Sequence, residues 1–264
     1  MIVQAIILGI VQGLTEMLPV SSSGHLYLLS QFFFNWDISK SFDIALHFGT
    51  LIAICIYFFK DWIKLITCGF KTAIKKESSP EGKIFWYMVI ATIPVGLLGV
   101  LFEDYLDELL TRPLVIGFAF IIMGSLLYII DKKAKAEISF EKMTFKEAFL
   151  IGISQVLAFI PGVSRSGVTI TTGRLLKVDR ESAAKYSFLL STPIVFAATL
   201  LKITEFEFSA AFFAGVITSF IVGLLVIRVF MNYLKKGSFK IIALYRILIG
   251  LIVIATFFIR MGIA

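Results

Sequence analysis

One polar stretch near the start of the chain contains an acid, three hydroxyls and an imidazole close together. The acid is Glu16, the hydroxyls are those of Ser21, Ser22 and Ser23, and the imidazole is that of His25. A hydroxyl beside a base suits nucleophilic catalysis, because the base removes the proton as the oxygen attacks. Singly, each residue has a plainer explanation: a hydrated acid, helix-capping serines or a packed histidine. In combination they favour a catalytic site.

A second polar stretch supplies the complementary charge. Arg165 carries a planar guanidinium fork that suits the oxygens of a phosphate. Small or hydroxyl-bearing residues surround it, namely Gly162, Ser164, Ser166, Gly167 and Thr169. Glycines let a ligand approach the backbone, and hydroxyls and helix N-terminal N–H groups donate to anionic oxygens. The alternative is that Arg165 only neutralises Glu16, but such a pair does not need these neighbours. Together the two stretches suit phosphoryl transfer, which depends mainly on positioning and charge neutralisation.

The composition shows what kind of protein must position these residues. Of 264 residues, 58% are hydrophobic and only 16% are charged, and the mean hydropathy is +0.93. A soluble domain is about a quarter charged. The net charge of +7 comes with lysines placed between apolar runs, not with a basic stripe interleaved with aromatics, so nucleic acid is excluded as a partner. The two cysteines form neither a metal-ligand spacing nor a disulfide framework.

The apolar runs predict an all-α integral membrane protein, because crossing a bilayer takes about 20 apolar residues. Two further segments, 1–35 and 146–178, break at Pro19 and Pro161 and are too polar to cross lipid alone. Irregular backbone at membrane depth is tolerated where it is covered by protein or lines a cavity. Both segments are therefore predicted to be re-entrant helix hairpins. The six predicted transmembrane helices are 42–60, 84–102, 113–130, 186–204, 209–231 and 241–260.

The charges in the links between these runs predict an orientation. Lysines are frequent in the links 60–83, 131–147 and 232–240 and scarce in the links 103–112 and 202–208. Links rich in Lys and Arg are expected on the cytoplasmic side. Both termini are then predicted to lie outside, with the first hairpin entering from outside and the second from the cytoplasm.

An internal repeat supports the same arrangement. The segment from Ala5 to Gln12 resembles the segment from Ala148 to Gln155, and after a slip of one residue Ser22 aligns with Ser164. Repeat 1 covers about 1–131 and repeat 2 about 146–264, each with one hairpin and three spans. Because three is odd, the second copy is inverted relative to the first, which predicts an inverted-topology repeat in one membrane domain.

The polar stretches resemble the signature sequences of the undecaprenyl-diphosphatase family, also known as bacitracin-resistance proteins. The first signature is the acidic helix leading into Leu-Pro-Val-Ser-Ser-Ser-Gly-His at 18–25, and the second is Pro-Gly-Val-Ser-Arg-Ser-Gly-Val-Thr at 161–169. The resemblance covers essentially the whole chain. The chain departs from the family at Gln12, where Glu is common. An amide oxygen can still bind a metal, but with less charge than a carboxylate.

The resemblance implies hydrolysis of undecaprenyl diphosphate to undecaprenyl phosphate and inorganic phosphate. This reaction recycles the lipid carrier for peptidoglycan synthesis and confers bacitracin resistance. The resemblance further implies a bacterial plasma membrane, a site open to its outer face, and a divalent cation. Mg²⁺ or Ca²⁺ is expected, with Glu16 and Gln12 as oxygen ligands. Carried over by position, the core of the site is Glu16, Ser22, His25 and Arg165, with Ser21, Ser23, Gly162, Ser164, Ser166, Gly167 and Thr169 around the diphosphate.

The expected mechanism starts with Arg165 and hairpin N–H groups holding the diphosphate. Ser22 attacks the terminal phosphorus, His25 takes the proton, and water then hydrolyses the phosphoserine. Direct attack by metal-bound water, with Ser22 only binding, is the alternative. A secondary transporter or lipid flippase is the rival class, because inverted repeats with broken helices are a transporter design. A nucleophile with a base favours the enzyme. The sequence leaves the polyprenyl chain length and the formation of a homodimer open.

Overall fold

The computed structural model describes residues 2–110 and 112–262, with the side chains of 103–110 outside that description. These residues form helices joined by short turns, as the composition predicts. The helices, numbered in chain order, are α1 Ile2–Met17, α2 Ser22–Tyr27, α3 Lys40–Tyr57, α4 Phe59–Lys75, α5 Pro80–Leu110, α6 Pro113–Lys133, α7 Phe145–Ser154, α8 Arg165–Leu175, α9 Arg180–Lys202, α10 Ala210–Leu234 and α11 Lys240–Arg260.

In the described part of the chain, six helices are long and apolar enough to cross a membrane: α3, α5, α6, α9, α10 and α11. They coincide with the six predicted spans, so this part of the prediction is confirmed. The helix α5 continues beyond its predicted end at 102 and reaches Leu110. Among the helix starts, the largest difference is at α9, which begins at Arg180 and not at 186. The cause is a helix cap, because the Asp179 side chain accepts a hydrogen bond from the Ser182 N–H at 2.8 Å.

The sequence did not predict α4, whose residues Phe59–Lys75 fall in the supposed link 60–83. This helix alternates lysines with large apolar residues, so it has no continuous apolar run of membrane-spanning length. The lysine-poor link predicted at 103–112 lies largely within α5, and the side chains of 103–110, with the acids Glu103, Asp104, Asp107 and Glu108, lie outside the described residues.

Both polar stretches interrupt a helix in the same way. Ser21 and Ser164 each have a φ of 74° and cap the following helix, accepting hydrogen bonds from the N–H groups of Gly24 and Gly167. The sequence spacing between the two capping serines equals that between Ala5 and Ala148. No residue of slippage is therefore needed, and the predicted alignment of Ser22 with Ser164 is wrong at this point. The inverted repeat and the re-entrant character of the hairpins stay predictions.

Small residues let two pairs of helices approach closely. A Cβ added at Gly13 of α1 would lie 2.8 Å from the backbone nitrogen of Gly223 in α10. A Cβ added at Gly250 of α11 would lie 2.6 Å from the carbonyl oxygen of Gly117 in α6. Such contacts are typical of helix packing in membranes, where close backbone approach adds dispersion energy. They hold α1 against α10 and α6 against α11.

Candidate active site

Glu16 lies at the centre of the site, near the end of α1, and its side chain is only 7% exposed. Its Oε1 atom accepts a hydrogen bond from Nη2 of Arg165, the first residue of α8. Its Oε2 atom accepts a hydrogen bond from the hydroxyl of Ser22, the first residue of α2. The structure thus brings both polar stretches to one carboxylate, as the sequence predicted for Glu16 and Arg165. A buried carboxylate requires such partners.

Arg165 has one half of its guanidinium group unused. Its Nη1 atom is buried and has no hydrogen-bond partner among the described residues. A buried donor without an acceptor costs about 1–3 kcal/mol, so an exception of this kind calls for an explanation. An anionic ligand oxygen in the adjoining cavity would supply the missing acceptor.

Gln12 and two residues of α3 lie on the other side of Glu16. Gln12 is fully buried, and its Nε2 atom lies 2.8 Å from Nδ1 of His47 and 3.4 Å from the Thr50 hydroxyl. His47 Nδ1 is also 3.4 Å from Oε2 of Glu16. Sequence reasoning missed His47, because a single histidine in an apolar span carries no motif. His47 lies one helical turn after Asp43, on the same face of α3, and this pair of polar residues in an apolar helix could have indicated a site.

Glu16, His47 and Arg165 face a cavity of about 460 Å³. Its polar lining includes Glu16, Ser21, Ser22, Ser23, Lys40, Asp43, His47, Ser164, Arg165, Ser166 and Lys202. Apolar lining comes mainly from α5 and α9, with Val100, Ile194 and Leu201 among its residues. An adjacent cavity of about 690 Å³ shares these three apolar residues. The cavity therefore combines charged and hydroxyl groups with apolar side chains.

Three of the residues predicted to surround the ligand do not line the cavity. The Thr169 hydroxyl contacts the Ser187 hydroxyl at 2.7 Å, which joins α8 to α9. Gly162 has a φ of +92°, which a side chain would strain, and its carbonyl accepts a hydrogen bond from Arg246. A Cβ at Gly167 would lie 2.6 Å from Nη1 of Arg246. The two glycines therefore shape the turn before and at the start of α8, and Thr169 packs α8 against α9.

His25 contacts a different set of groups from the one predicted. Its Nδ1 atom lies 2.7 Å from the Ser21 carbonyl oxygen and its Nε2 atom 2.8 Å from the Tyr245 hydroxyl. Its ring stacks on Phe120 and Tyr245. Both nitrogens thus have partners, and the group that accepts the hydrogen bond from the Ser22 hydroxyl is Glu16. A role for His25 as the base stays a prediction.

Arg246 of α11 links the two polar turns and was not singled out from the sequence. Its side chain is fully buried, and it donates hydrogen bonds to the carbonyl oxygens of Pro19, Gly162 and Val163 at 2.8–2.9 Å. Because Arg246 lies inside an apolar run, the sequence could have predicted that its side chain is buried and paired. Its partners could not be predicted, because backbone carbonyls have no sequence signature. Arg246 holds the turns at a fixed distance from each other.

The donor set fits a divalent cation in part. Mg²⁺ and Ca²⁺ bind oxygen ligands. The Oε1 atom of Gln12 is a buried acceptor with no partner among the described residues. The amide atom nearest the Glu16 carboxylate is Nε2 of Gln12, at 3.4 Å from Oε2. No group of three His, Cys, Asp or Glu that could hold a metal occurs within those residues. A cation at Glu16 and Gln12 would therefore need further oxygens, which a diphosphate can provide.

Six apolar spans around a buried polar site define a multi-pass membrane protein. Comparison with known proteins gives the family. The model of the family described as bacitracin resistance protein BacA matches residues 5–252. A protein of Moorella thermoacetica named undecaprenyl-diphosphatase is 43% identical, over 98% of this chain and 99% of its own length. A protein of the same name from Pelotomaculum thermopropionicum is 45% identical, over 95% of this chain and 95% of its own length. Another, from Marinobacter nauticus, is 38% identical, over 96% of this chain and 98% of its own length. The chain belongs to the BacA family.

Proposed function

We propose that the protein hydrolyses undecaprenyl diphosphate to undecaprenyl phosphate and inorganic phosphate, and so recycles the lipid carrier of cell-wall synthesis. The observation that carries the proposal is the pairing of Ser22 and Arg165 on one buried carboxylate beside the cavity. Ser22 offers a nucleophile, and the free Nη1 atom of Arg165 offers a donor for a phosphate oxygen. The family supports the same reaction through the names of its relatives.

The two ends of the cavity fit the two ends of this substrate. The diphosphate would occupy the polar end, where the N-terminus of α8 and Arg165 favour an anion. The polyprenyl chain would leave along the apolar wall, where Val100 is 73% and Leu201 is 65% exposed. In a membrane-spanning region such side chains face lipid tails. The substrate can then reach the site without leaving the bilayer.

In the proposed reaction the Ser22 oxygen forms a bond to the terminal phosphorus, and its proton passes to Glu16. The bond from that phosphorus to the bridging oxygen breaks, and undecaprenyl phosphate leaves. Water then hydrolyses the phosphoserine and releases inorganic phosphate. Arg165 balances the charge on the phosphoryl oxygens. A divalent cation at Glu16 and Gln12 would further neutralise the diphosphate.

We place the protein in the bacterial plasma membrane with this site open to the outer face and both termini outside. The support is the alternation of lysine-rich and lysine-poor links. Two re-entrant hairpins in inverted orientation would then meet at Glu16 and Arg165. A cysteine introduced into the 103–112 link should react with an impermeant reagent in intact cells, whereas one at 71–83 should not. The reverse labelling would contradict the orientation.

Phosphate release from purified protein in detergent tests the function. Undecaprenyl diphosphate should be hydrolysed, a short prenyl diphosphate more slowly, and a chelator should lower the rate in a way that Mg²⁺ or Ca²⁺ restores. A transporter has no turnover without two compartments, so activity in detergent separates the classes. Absence of phosphate release from every diphosphate, by folded protein in the presence of cations, would contradict the proposal.

A further inference from the structure

The helix α4 has three distinct faces along its length. Because an α-helix turns about 100° per residue, residues spaced by three or four share a face. Large apolar side chains occupy one face, namely Phe59, Ile63, Ile66, Phe70 and Ile74. These side chains are exposed, from 41% for Ile66 to 76% for Ile74. Five exposed apolar side chains in one stripe require a non-aqueous neighbour.

The face next to this stripe is basic. It carries Lys60, Lys64, Lys71 and Lys75, all of them exposed. On the opposite flank Leu65 and Gly69 are buried against the rest of the protein. An amphipathic helix with lysines beside an apolar face is typical of helices that lie in the headgroup region of a membrane.

The contacts of α4 place it at the level where two spans begin. Asp61 accepts a hydrogen bond from Lys185, in the second turn of α9, at 2.6 Å. Lys64 forms an ion pair with Glu81, in the first turn of α5, also at 2.6 Å. The Gly69 carbonyl accepts a hydrogen bond from the Trp86 indole, in the second turn of α5, at 3.0 Å.

These three contacts determine how α4 is oriented relative to the membrane. The apolar spans of α5 and α9 start at Pro80 and Arg180, so their first turns lie at a membrane surface. Asp61, Lys64 and Gly69 each contact one of the first two turns of α5 or α9, although the helix advances about 12 Å from residue 61 to residue 69. A helix that crossed the bilayer would move away from the surface over this length. The helix α4 therefore runs along the surface.

We propose that α4 lies in the headgroup region of the leaflet on the lysine-rich side and binds anionic phospholipids. The apolar stripe enters the leaflet, and Lys60, Lys71 and Lys75 reach the phosphate groups. The stripe continues the lipid-facing surface of α3, where Ile56 is exposed just before Phe59. Charge complementarity selects anionic lipid as the occupant, because the helix has lysines along its whole length. The inference does not depend on the reaction at Glu16.

Spin labels test the position of α4. Single cysteines at 66, 70 and 74, in full-length protein carrying Cys55→Ser and Cys68→Ser and reconstituted in vesicles, should report equal and shallow depths, about 5–10 Å below the headgroups. Labels at 71 and 75 should be accessible to an aqueous relaxing agent. A depth that increases steadily from 66 to 74 would contradict the proposal, as would labels on the stripe that reach water or are shielded by a second copy.

Measurement of lipid selectivity tests whether the lysines of α4 bind anionic lipid. In nanodiscs of mixed phosphatidylglycerol and phosphatidylcholine, the variant Lys71→Gln with Lys75→Gln should retain phosphatidylglycerol at least about fivefold less strongly, since each lysine near an anionic surface contributes to binding. The variant Lys142→Gln with Lys146→Gln loses the same charge outside α4 and should change less. Both variants should release phosphate normally in neutral detergent. Equal loss of lipid selectivity in both variants, or none in either, would overturn the assignment of the anionic lipid to α4.

Discussion

Within residues 2–102 and 112–262 two buried carboxylates are paired with arginines. The two pairs differ in whether every polar atom of the arginine has a hydrogen-bond partner. Asp131 pairs with Arg174 at the lysine-rich end, with Arg174 Nε at 2.9 Å from Asp131 Oδ1. The remaining Arg174 nitrogens donate to carbonyl oxygens, among them those of Ala134 and Val178. Asp131 also accepts from Arg180 Nε at 2.8 Å. Every polar atom of Arg174 therefore has a protein partner.

The pair of Glu16 and Arg165 is arranged differently. It borders a cavity, it includes the Ser22 hydroxyl, and Nη1 of Arg165 has no partner among the described residues. A buried polar network that is fully satisfied rigidifies a fold, whereas one that is incomplete beside a cavity is ready to bind. We therefore expect the Asp131 pair to stabilise the fold and the Glu16 pair to bind a ligand.

The largest expected effect is the loss of turnover in Ser22→Ala. Phosphate release should fall at least about a thousandfold, because a nucleophile and its partners act as a unit. The melting temperature should change little, since the hydroxyl borders a cavity. Ser191→Ala is the matched control, because that buried hydroxyl donates to the Phe188 carbonyl oxygen of its own helix, at 2.6 Å, and its removal should leave turnover normal. More than a tenth of normal turnover in Ser22→Ala would show that Ser22 is not the nucleophile.

The second effect concerns stability. Asp131→Ala leaves Arg174 buried without its partner and should lower the free energy of unfolding by about 3–5 kcal/mol. Turnover per folded molecule should stay within about twofold of normal, because this pair does not touch the cavity. Unfolding in an SDS titration, together with phosphate release normalised to folded protein, measures both quantities. A folded but inactive Asp131→Ala protein would show that the Asp131 pair is needed for turnover and not only for stability.

The smallest effect is expected at Thr169. Thr169→Val keeps the shape of the side chain and removes the hydrogen bond to Ser187, which should cost about 1 kcal/mol of stability. Turnover should change less than about twofold, whereas Ser166→Ala, at the cavity wall, should lower it more. A tenfold loss of turnover in Thr169→Val with normal KM would place this hydroxyl at the substrate after all.

The sequence predicted the spans and the meeting of Glu16 with Arg165, because hydropathy and clustered polar residues are local signals. It did not predict α4, in which lysines interrupt the apolar pattern although packing against α5 and α9 stabilises the helix. It also missed the roles of His47 and Arg246. Each is a single polar residue in an apolar helix, and its partners come from distant segments or from the backbone. Only the packed structure identifies such contacts.

The central claim is that Arg165 binds substrate and that Arg174 does not, and replacement of each by Lys tests it most directly. Lys keeps the charge but loses the planar fork. We expect Arg165→Lys to retain its melting temperature and to release phosphate about a hundredfold more slowly, or slower still. We expect Arg174→Lys to be less stable and to have near-normal turnover per folded molecule. Near-normal turnover in Arg165→Lys would contradict a substrate-binding role, because Arg165 would then only neutralise Glu16.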